Sequence, residues 1–144
     1  MKKILIVVSD YYGKVASGLI KGATEFFDEK DEFLVRDILI KYEIKKAPGA
    51  FEIPFLINKF KDSYDGFLAL GCVIRGETYH FEIISNEVTR KIMDLSIEID
   101  KPIGFGILTC ENLAQAIQRS GPHKKNKGAE AAKACLKLLS NNIN

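Results

Sequence analysis

The stretch of residues 65–90 constrains the fold of this chain more than any other, because it changes from one periodicity to another. Gly66–Ile74 is almost entirely apolar, which is typical of a strand covered on both faces of a parallel sheet. From Phe81 onward, apolar residues recur every three or four positions and predict an amphipathic helix. The polar turn 75–80 lies between them. A strand, a glycine-containing turn and a helix start form an anion site, because the first N–H groups of a helix lack intrahelical partners.

The rest of the chain repeats this alternation of strands and helices. Apolar runs predict further strands at 3–9, 33–40 and 103–109, and residues 41–46 are predicted to be a polar connection. Apolar stripes predict helices at 14–29, 55–61, 81–99, 111–120 and 127–140. Thr109 is predicted to cap the helix that follows it, and Gly104 and Gly106 predict a close approach by another chain or a ligand.

Strands that alternate with helices predict βαβ units, and therefore an α/β fold with helices on both faces of a four-stranded parallel sheet. Ligands of such sheets bind beyond the carboxyl ends of the strands. Polar or glycine-bearing turns at 10–13, 47–52, 75–80 and 109–112 are expected to converge there. We therefore expect the functional site at that edge of the sheet.

Composition excludes several classes of protein. The 144 residues, 47% of them hydrophobic, fit a single domain over 1–144. A formal net charge of +2 argues against a nucleic-acid binder, and the apolar runs are too short to cross a membrane. Three scattered cysteines predict a reducing compartment, the cytoplasm, and two histidines without a Cys/His cluster argue against a metal site.

The candidate proton-transfer residue is His80, because imidazole gains and loses a proton near neutral pH. A lone histidine at a helix start is more often structural, and the anion-ready turn beside it favours the catalytic interpretation. Arg75 and Arg119 are candidate partners for the anion. Cys72 and Cys110 lie near strand ends without a sequence-local activating group, so we interpret both as core residues.

Two further features leave alternatives open. Tyr11 and Tyr12 follow the first strand, and they either stack on a planar ring or serve in ordinary packing. Glu52 precedes Pro54 at a predicted helix start, where it either caps the helix or binds a polyol or an amine. The spacing alone favours capping.

Four motifs, in order along the chain, resemble the 6,7-dimethyl-8-ribityllumazine synthase family. They are PGAFEIP at 48–54, ALGCVIRGETYHFEIISNEV at 69–88, PIGFGILTCENLAQAIQR at 102–119 and NKGAEAA at 126–132. The resemblance implies a flavodoxin-like three-layer α/β/α sandwich. It also implies a transferase of riboflavin biosynthesis that condenses 5-amino-6-(D-ribitylamino)uracil with 3,4-dihydroxy-2-butanone 4-phosphate and uses no metal or organic cofactor.

The same resemblance implies a site, position by position. His80 is the implied catalytic residue. The implied substrate-binding residues are Tyr11 for ring stacking; Ala50, Phe51 and Glu52 for the ribityl chain and pyrimidine; Cys72, Val73 and Ile74 for the ring edge; Gly76, Glu77 and Thr78 with Arg119 for the phosphate; and Phe105 and Lys127 from a neighbouring subunit.

The implied assembly is a homopentamer whose active sites lie between subunits, and twelve pentamers form an icosahedral shell in some members. Riboflavin synthase is an implied partner, and neither nucleic acid nor a membrane is expected. Two alternatives share these features: a pentameric riboflavin synthase of the archaeal type, and a non-catalytic carrier of lumazine or flavin. The chain departs from the common pattern at Tyr12, where asparagine is frequent, and at Asp10, where a basic residue is common.

Overall fold

The computed structural model describes residues 1–29, 38–122 and 125–140. Within these ranges, strands and helices alternate along the chain. The strands are β1 (Lys2–Ser9), β2 (Ile40–Ala47), β3 (Gly66–Ile74) and β4 (Ile103–Cys110). The helices are α1 (Gly13–Glu29), α2 (Ile53–Lys59), α3 (His80–Ile99), α4 (Leu113–Ser120) and α5 (Lys127–Leu139), and a single 3-10 turn (Ala50–Glu52) precedes α2.

The four strands form one parallel sheet in the order β2-β1-β3-β4. The apolar core lies on both faces of this sheet. Helices α1, α4 and α5 cover one face, and α2 and α3 cover the other. This arrangement confirms the predicted flavodoxin-like α/β sandwich.

Strand β1 shows why the core has two halves. Successive side chains of a strand point to opposite faces, so Ile4, Ile6 and Val8 pack under α1, while Leu5 and Val7 pack against α2. All five are fully buried. Burial of each such side chain contributes about 1.5–3 kcal/mol, which explains how a strand with so few polar residues anchors both layers.

The second strand differs from its prediction. Of the predicted range 33–40, residues 33–37 lie outside the described residues, and the prediction of a polar connection at 41–46 is wrong. β2 occupies Ile40–Ala47 and, among the described strands, pairs only with β1, from Lys2 opposite Ile40 to Ser9 opposite Ala47. An edge strand tolerates lysines because they remain in solvent and discourage pairing with other sheets.

Two local predictions are also corrected. Thr109 belongs to β4, and the cap of α4 is Asn112, whose Oδ1 accepts a hydrogen bond from the Gln115 N–H at 2.9 Å. The close approach at Gly104 comes from α5 of the same chain. A Cβ at Gly104 would lie 2.2 Å from the Ala131 carbonyl oxygen, so glycine is required there for packing between helix and sheet.

In the part of the chain that the structure describes, each helix is too short or too polar to span a lipid bilayer.

Candidate active site

The sheet order places a crevice between the carboxyl ends of β1 and β3. From β1 the chain crosses to β2 on one side through α1, and it then reaches β3 on the other side through α2, on the opposite face. The two connections diverge at this point, so the neighbouring strand ends are not covered by one continuous layer. Such a switch point is the usual ligand site of an open parallel sheet.

A cavity of about 330 Å³ occupies this crevice, and we call it the strand-end cavity. Its walls come from the β1 end, the β2–α2 connection, the β3 end and the start of α3. The lining residues are Ser9, Tyr11, Tyr12, Gly49, Ala50, Phe51, Glu52, Cys72, Val73, Ile74, His80 and Ile84. Eight of the predicted site residues are among them, and the volume suits a small planar heterocycle.

The two tyrosines after β1 have different environments. Tyr11 is 76% exposed, whereas Tyr12 is partly buried and packs against the core under α1. Their rings meet edge to face, with centroids 4.9 Å apart and an interplanar angle of 76°. Asp10 pairs with Lys46 at 3.2 Å, which ties this loop to the end of β2. Tyr11 is therefore the ring with free surface for a ligand, and Tyr12 supports it.

Glu52 lines the cavity and does not act as predicted from its spacing. It occupies the N-cap position of α2, and Pro54 follows in the first turn, but its side chain makes no capping hydrogen bond. Its backbone N–H donates to the Gly49 carbonyl at 3.2 Å, which closes the preceding turn. The capping interpretation is therefore wrong, and the carboxylate remains able to accept hydrogen bonds from a ligand.

The cysteines near the cavity are structural. Cys72 and Cys110 are buried, and burial raises the pKa of the Cys72 thiol to about 12. Burial also raises the pKa of Cys110. Both side chains therefore stay neutral thiols at physiological pH and are poor nucleophiles, which confirms their prediction as core residues.

The turn of residues 76–78, here called the 76–78 turn, joins the strand-end cavity to the start of α3. All three residues are exposed, and a Cβ at Gly76 would meet no atom within 4 Å. The Thr78 hydroxyl accepts a hydrogen bond from the His80 N–H at 3.3 Å, and α3 begins at His80. These three residues do not line the cavity but lie beside His80, which does. A long helix thus starts next to an open, glycine-containing turn, as an anion site requires.

Arg75 is not available as an anion partner. Its Nε donates to Glu111 Oε2 at 2.7 Å, and its Nη1 pairs with Glu82 Oε1. The guanidinium also lies over the Phe81 ring, 4.5 Å from the centroid. Hydrogen bonds to the two glutamates raise the pKa of Arg75, and the bond from Arg75 lowers the pKa of Glu82. The structure therefore shows Arg75 bound to glutamates of its own chain, in place of the predicted anion.

Besides the 76–78 turn, three further predicted residues lie outside the strand-end cavity of a single chain. Phe105 is 41% exposed on β4. Arg119 is exposed on α4, and its Nη1 donates to the Gln115 carbonyl of its own helix at 3.2 Å. Lys127 pairs with Glu130 at 2.8 Å. One copy of the chain therefore does not bring these side chains to the cavity.

Sequence reasoning missed three lining residues, Ser9, Gly49 and Ile84. Ile84 had a usable signal, because residues four apart on a helix share a face, and His80 precedes it by that interval. Ser9 ends β1 opposite Ala47, and its position in the cavity wall follows from this strand pairing, which spacing along the sequence does not reveal.

A larger cleft of about 920 Å³ lies between α1 and the α4–α5 corner, and it contains no predicted site residue. Its lining includes Gly18, Lys21, Glu25, Ser120 and Asn126. It is open to solvent and lies on the face of the sheet covered by α1, α4 and α5, whereas Glu52 and His80 lie on the face covered by α2 and α3. Within the described residues, we find no group of three His, Cys, Asp or Glu side chains placed to hold a metal ion.

Comparison with known proteins identifies the family of this chain. The 6,7-dimethyl-8-ribityllumazine synthase family profile matches residues 1–142. The chain is 44% identical over 140 residues to a protein of that name from Bartonella tribocorum, covering 95% of this chain and 87% of the relative. It is 43% identical over 142 residues to the one from Zymomonas mobilis and 45% identical over 142 residues to the one from Novosphingobium aromaticivorans, each covering 97% of this chain and 96% of the relative. The chain therefore belongs to the 6,7-dimethyl-8-ribityllumazine synthase family.

Proposed function

We propose that this chain condenses 5-amino-6-(D-ribitylamino)uracil with 3,4-dihydroxy-2-butanone 4-phosphate to give 6,7-dimethyl-8-ribityllumazine, phosphate and water. This is the penultimate step of riboflavin biosynthesis. The observation that carries the proposal is the strand-end cavity, where an exposed aromatic ring, a free carboxylate and a histidine converge. A planar pyrimidine with a polyol chain and a reacting amine needs these three kinds of group.

The pyrimidine substrate fits the chemistry of the cavity walls. Tyr11 offers an exposed ring for stacking on the pyrimidine, and Phe51, which is also exposed, adds apolar surface. Glu52 is placed to accept hydrogen bonds from the ribityl hydroxyl groups. Val73 and Ile74 end β3 at the cavity, where their backbone groups can pair with the edge of the ring.

His80 is the proposed proton carrier. The amine nitrogen of the pyrimidine attacks the ketone carbon of the second substrate, and loss of water gives a Schiff base. Elimination of phosphate leaves an enol that tautomerises to a ketone. The ribityl-bearing nitrogen attacks this ketone and a second water is lost, which closes the ring, and each step moves protons between nitrogen, carbon and oxygen. An imidazole at the cavity wall can take up and return these protons near neutral pH.

The phosphate is proposed to bind at the 76–78 turn, beside the N-terminus of α3. Backbone N–H groups and the Thr78 hydroxyl would hold it, and Arg119 would supply the positive charge. Fixed donors and a cation stabilise phosphate as it leaves, because they already face the developing charge. Holding both substrates in one site supplies much of the remaining acceleration through orientation.

We propose that residues 1–144 form one domain and that the site is completed by a second copy of the chain in a homopentamer. The second copy would bring Phe105, Arg119 and Lys127 to the cavity. Exposed apolar side chains on several elements support such docking: Phe51 in the 3-10 turn, Phe55 in α2, Ile83 in α3, Phe105 in β4 and Leu113 at the start of α4. An icosahedral shell of twelve pentamers is a further level of this proposal.

The proposed enzyme works in the cytoplasm without a metal or organic cofactor, and riboflavin synthase is its proposed partner as consumer of the product. Within the described residues, Cys72, Cys110 and Cys135 are free thiols, which agrees with a reducing compartment.

The test is a condensation assay with purified protein. Both substrates together should give lumazine absorbance and one phosphate for each product molecule, and omission of either substrate should abolish product formation. The protein should also be incubated with 6,7-dimethyl-8-ribityllumazine alone. Riboflavin formed in that arm would indicate a riboflavin synthase, and tight binding of lumazine without turnover of the two substrates would indicate a carrier. Either result would overturn the proposal.

A further inference from the structure

Arg75 joins three parts of the chain beside the 76–78 turn. It follows the last residue of β3, and its backbone N–H donates to the Cys110 carbonyl at 2.9 Å, which extends the pairing of β3 with β4. Its side chain bridges Glu111, in the loop between β4 and α4, and Glu82, in the first turn of α3. These contacts connect the residue before the turn to the helix after it.

The 76–78 turn has few other attachments. Its residues are exposed, and the space around Gly76 is open. The hydrogen bond between the Thr78 hydroxyl and the His80 N–H is local to the turn. The far end of the Arg75 bridge is itself braced, because the Glu111 N–H donates to the Gln115 side chain at 2.8 Å. Among the described residues, the Arg75 side chain therefore links the start of the turn to α3 and to the loop between β4 and α4.

Charge gives Arg75 a second effect on the turn. A carboxylate in the first turn of a helix offsets the positive end of the helix dipole, which weakens the site for phosphate. Glu82 occupies that place, and Glu111 lies across the same guanidinium. One Glu82 oxygen, Oε2, is buried without a hydrogen-bond partner, so Arg75 at Oε1 is the main compensation for this carboxylate.

Arginine is required for these contacts in a way that lysine is not. Two different guanidinium nitrogens reach two carboxylates, and the planar group lies over the Phe81 ring. A lysine ammonium is a single point charge without a plane to stack. The Arg75 side chain is 41% exposed, and those of Glu82 and Glu111 are 38% and 59% exposed. Exposed pairs contribute little to global stability, so the effect of Arg75 is local and its variants should fold.

We propose that Arg75 is a positioning residue for phosphate binding: it holds the 76–78 turn against α3 and β4 and neutralises the two glutamates that flank the turn. This role rests on the proposed condensation, in which the turn holds the phosphate of the second substrate. Arg75 acts through the protein in this role, since its Nε and Nη1 are already bound to Glu111 and Glu82.

The test compares Arg75→Lys and Arg75→Ala with the matched variant Arg90→Ala. Arg90 also bridges two carboxylates, Glu87 at 2.6 Å and Asp94 at 3.3 Å, but on the exposed surface of α3 away from the turn. Both Arg75 variants should raise KM for the butanone phosphate about tenfold or more, with KM for the pyrimidine within about twofold of wild type. Arg90→Ala should leave both values unchanged.

A rescue variant separates the two proposed effects of Arg75, which are neutralising the glutamates and holding the 76–78 turn in place. Removing both carboxylate charges in Arg75→Ala/Glu82→Gln/Glu111→Gln should return KM for the butanone phosphate part of the way to wild type. An equal rise of both KM values in Arg75→Ala, or an unchanged KM for the phosphorylated substrate, would overturn the proposal.

Amide hydrogen exchange tests the same role without the reaction. Exchange at residues 76–79 should rise in Arg75→Ala and stay at the wild-type rate in Arg90→Ala. Equal exchange in Arg75→Ala and wild type would overturn the positioning role, whether or not condensation is detected. A wild-type protein without condensation activity would instead overturn the proposed function, so the two failures are distinguishable.

Discussion

Replacing Asn126 with aspartate is expected to destabilise the protein strongly, because the side-chain amide of this residue joins three helices. Its Nδ2 lies 3.0 Å from each of three carbonyl oxygens, those of Gly18 in α1, Ser120 at the end of α4 and Gly121. Its Oδ1 accepts a hydrogen bond from the Ala129 N–H at 3.0 Å and caps α5. The residue is 3% exposed, and its hydrogen bond to the Ser120 carbonyl is buried, so water replaces these contacts poorly.

The size of the effect follows from what aspartate keeps and what it loses. A carboxylate keeps the acceptor that caps α5, but it has no N–H group to donate. Each buried carbonyl left without a donor costs about 1–3 kcal/mol, and a carboxylate oxygen at 3.0 Å from carbonyl oxygens adds repulsion. We expect Asn126→Asp to lower the free energy of unfolding by about 3 kcal/mol or more.

Asn112→Asp is the matched control. Asn112 is also an N-cap, with its Oδ1 2.9 Å from the Gln115 nitrogen, but it is exposed. Aspartate caps a helix about as well as asparagine and is favoured by the helix dipole. This variant should therefore change the free energy of unfolding by less than about 0.5 kcal/mol.

Urea denaturation, at one protomer concentration for all variants, measures the difference. With a slope of about 1–3 kcal/mol per molar urea, the midpoint of Asn126→Asp should fall by roughly 1–3 M, and that of Asn112→Asp should stay near wild type. Equal midpoints for the two variants would refute the argument. The amide also matters for the proposed site, because Arg119 precedes one of its acceptors and Lys127 follows Asn126 itself.

Arg119→Ala is expected to raise KM for the phosphorylated substrate about tenfold or more, and unchanged kinetics would contradict its proposed role. His80→Ala should slow turnover by about 10²–10⁴ without abolishing it, since substrate orientation is retained, and an equal kcat would remove His80 as the proton carrier. With a pKa of about 12, roughly one Cys72 thiol in ten thousand is ionised at pH 8. A disulfide reagent should therefore label Cys72 slowly in the folded protein and faster once urea unfolds it. Rapid labelling of the folded protein would contradict the buried environment of this thiol. Gly104→Ala places a Cβ 2.2 Å from a carbonyl oxygen of α5 and should lower the free energy of unfolding by about 1–3 kcal/mol or more. In the control variant Gly13→Ala, the new Cβ meets no atom within 4 Å, so the free energy of unfolding should stay unchanged or rise by up to about 1 kcal/mol. Equal urea midpoints for the two variants would contradict the packing argument.

The parts of the fold that the sequence predicts well are those whose pattern reflects burial on both sides. Gly66–Ile74 is a strand with the predicted bounds, because a continuous apolar run suits the centre of a parallel sheet. β2 was missed because an edge strand is buried only in part. The lysine-rich sequence of β2 is typical of a polar loop, and the pairing of Ile40 and the following residues with β1 identifies it as a strand.

The candidate site shows the same division. The convergence of polar turns at the strand ends follows from the alternation of strands and helices. The cavity confirms it for the turns at 10–13, 47–52 and 75–80, whereas no residue of 109–112 lines the cavity. The partners of individual side chains do not follow from sequence spacing. Arg75 meets Glu111 across 36 positions of the chain, and the free carboxylate of Glu52 depends on the geometry of its turn.

The central claim is that a condensation site is formed by the strand-end cavity of one copy and Arg119 of another. Mixing His80→Ala and Arg119→Ala chains under conditions that exchange subunits tests it most directly. In equal random mixtures, about a quarter of the sites between copies would combine an intact His80 with an intact Arg119. With the butanone phosphate well below its wild-type KM, the account predicts that the mixture regains about a quarter of wild-type condensation activity, well above either variant alone. Activity no higher than the average of the two variants, with mixed oligomers demonstrated by mass spectrometry, would contradict it.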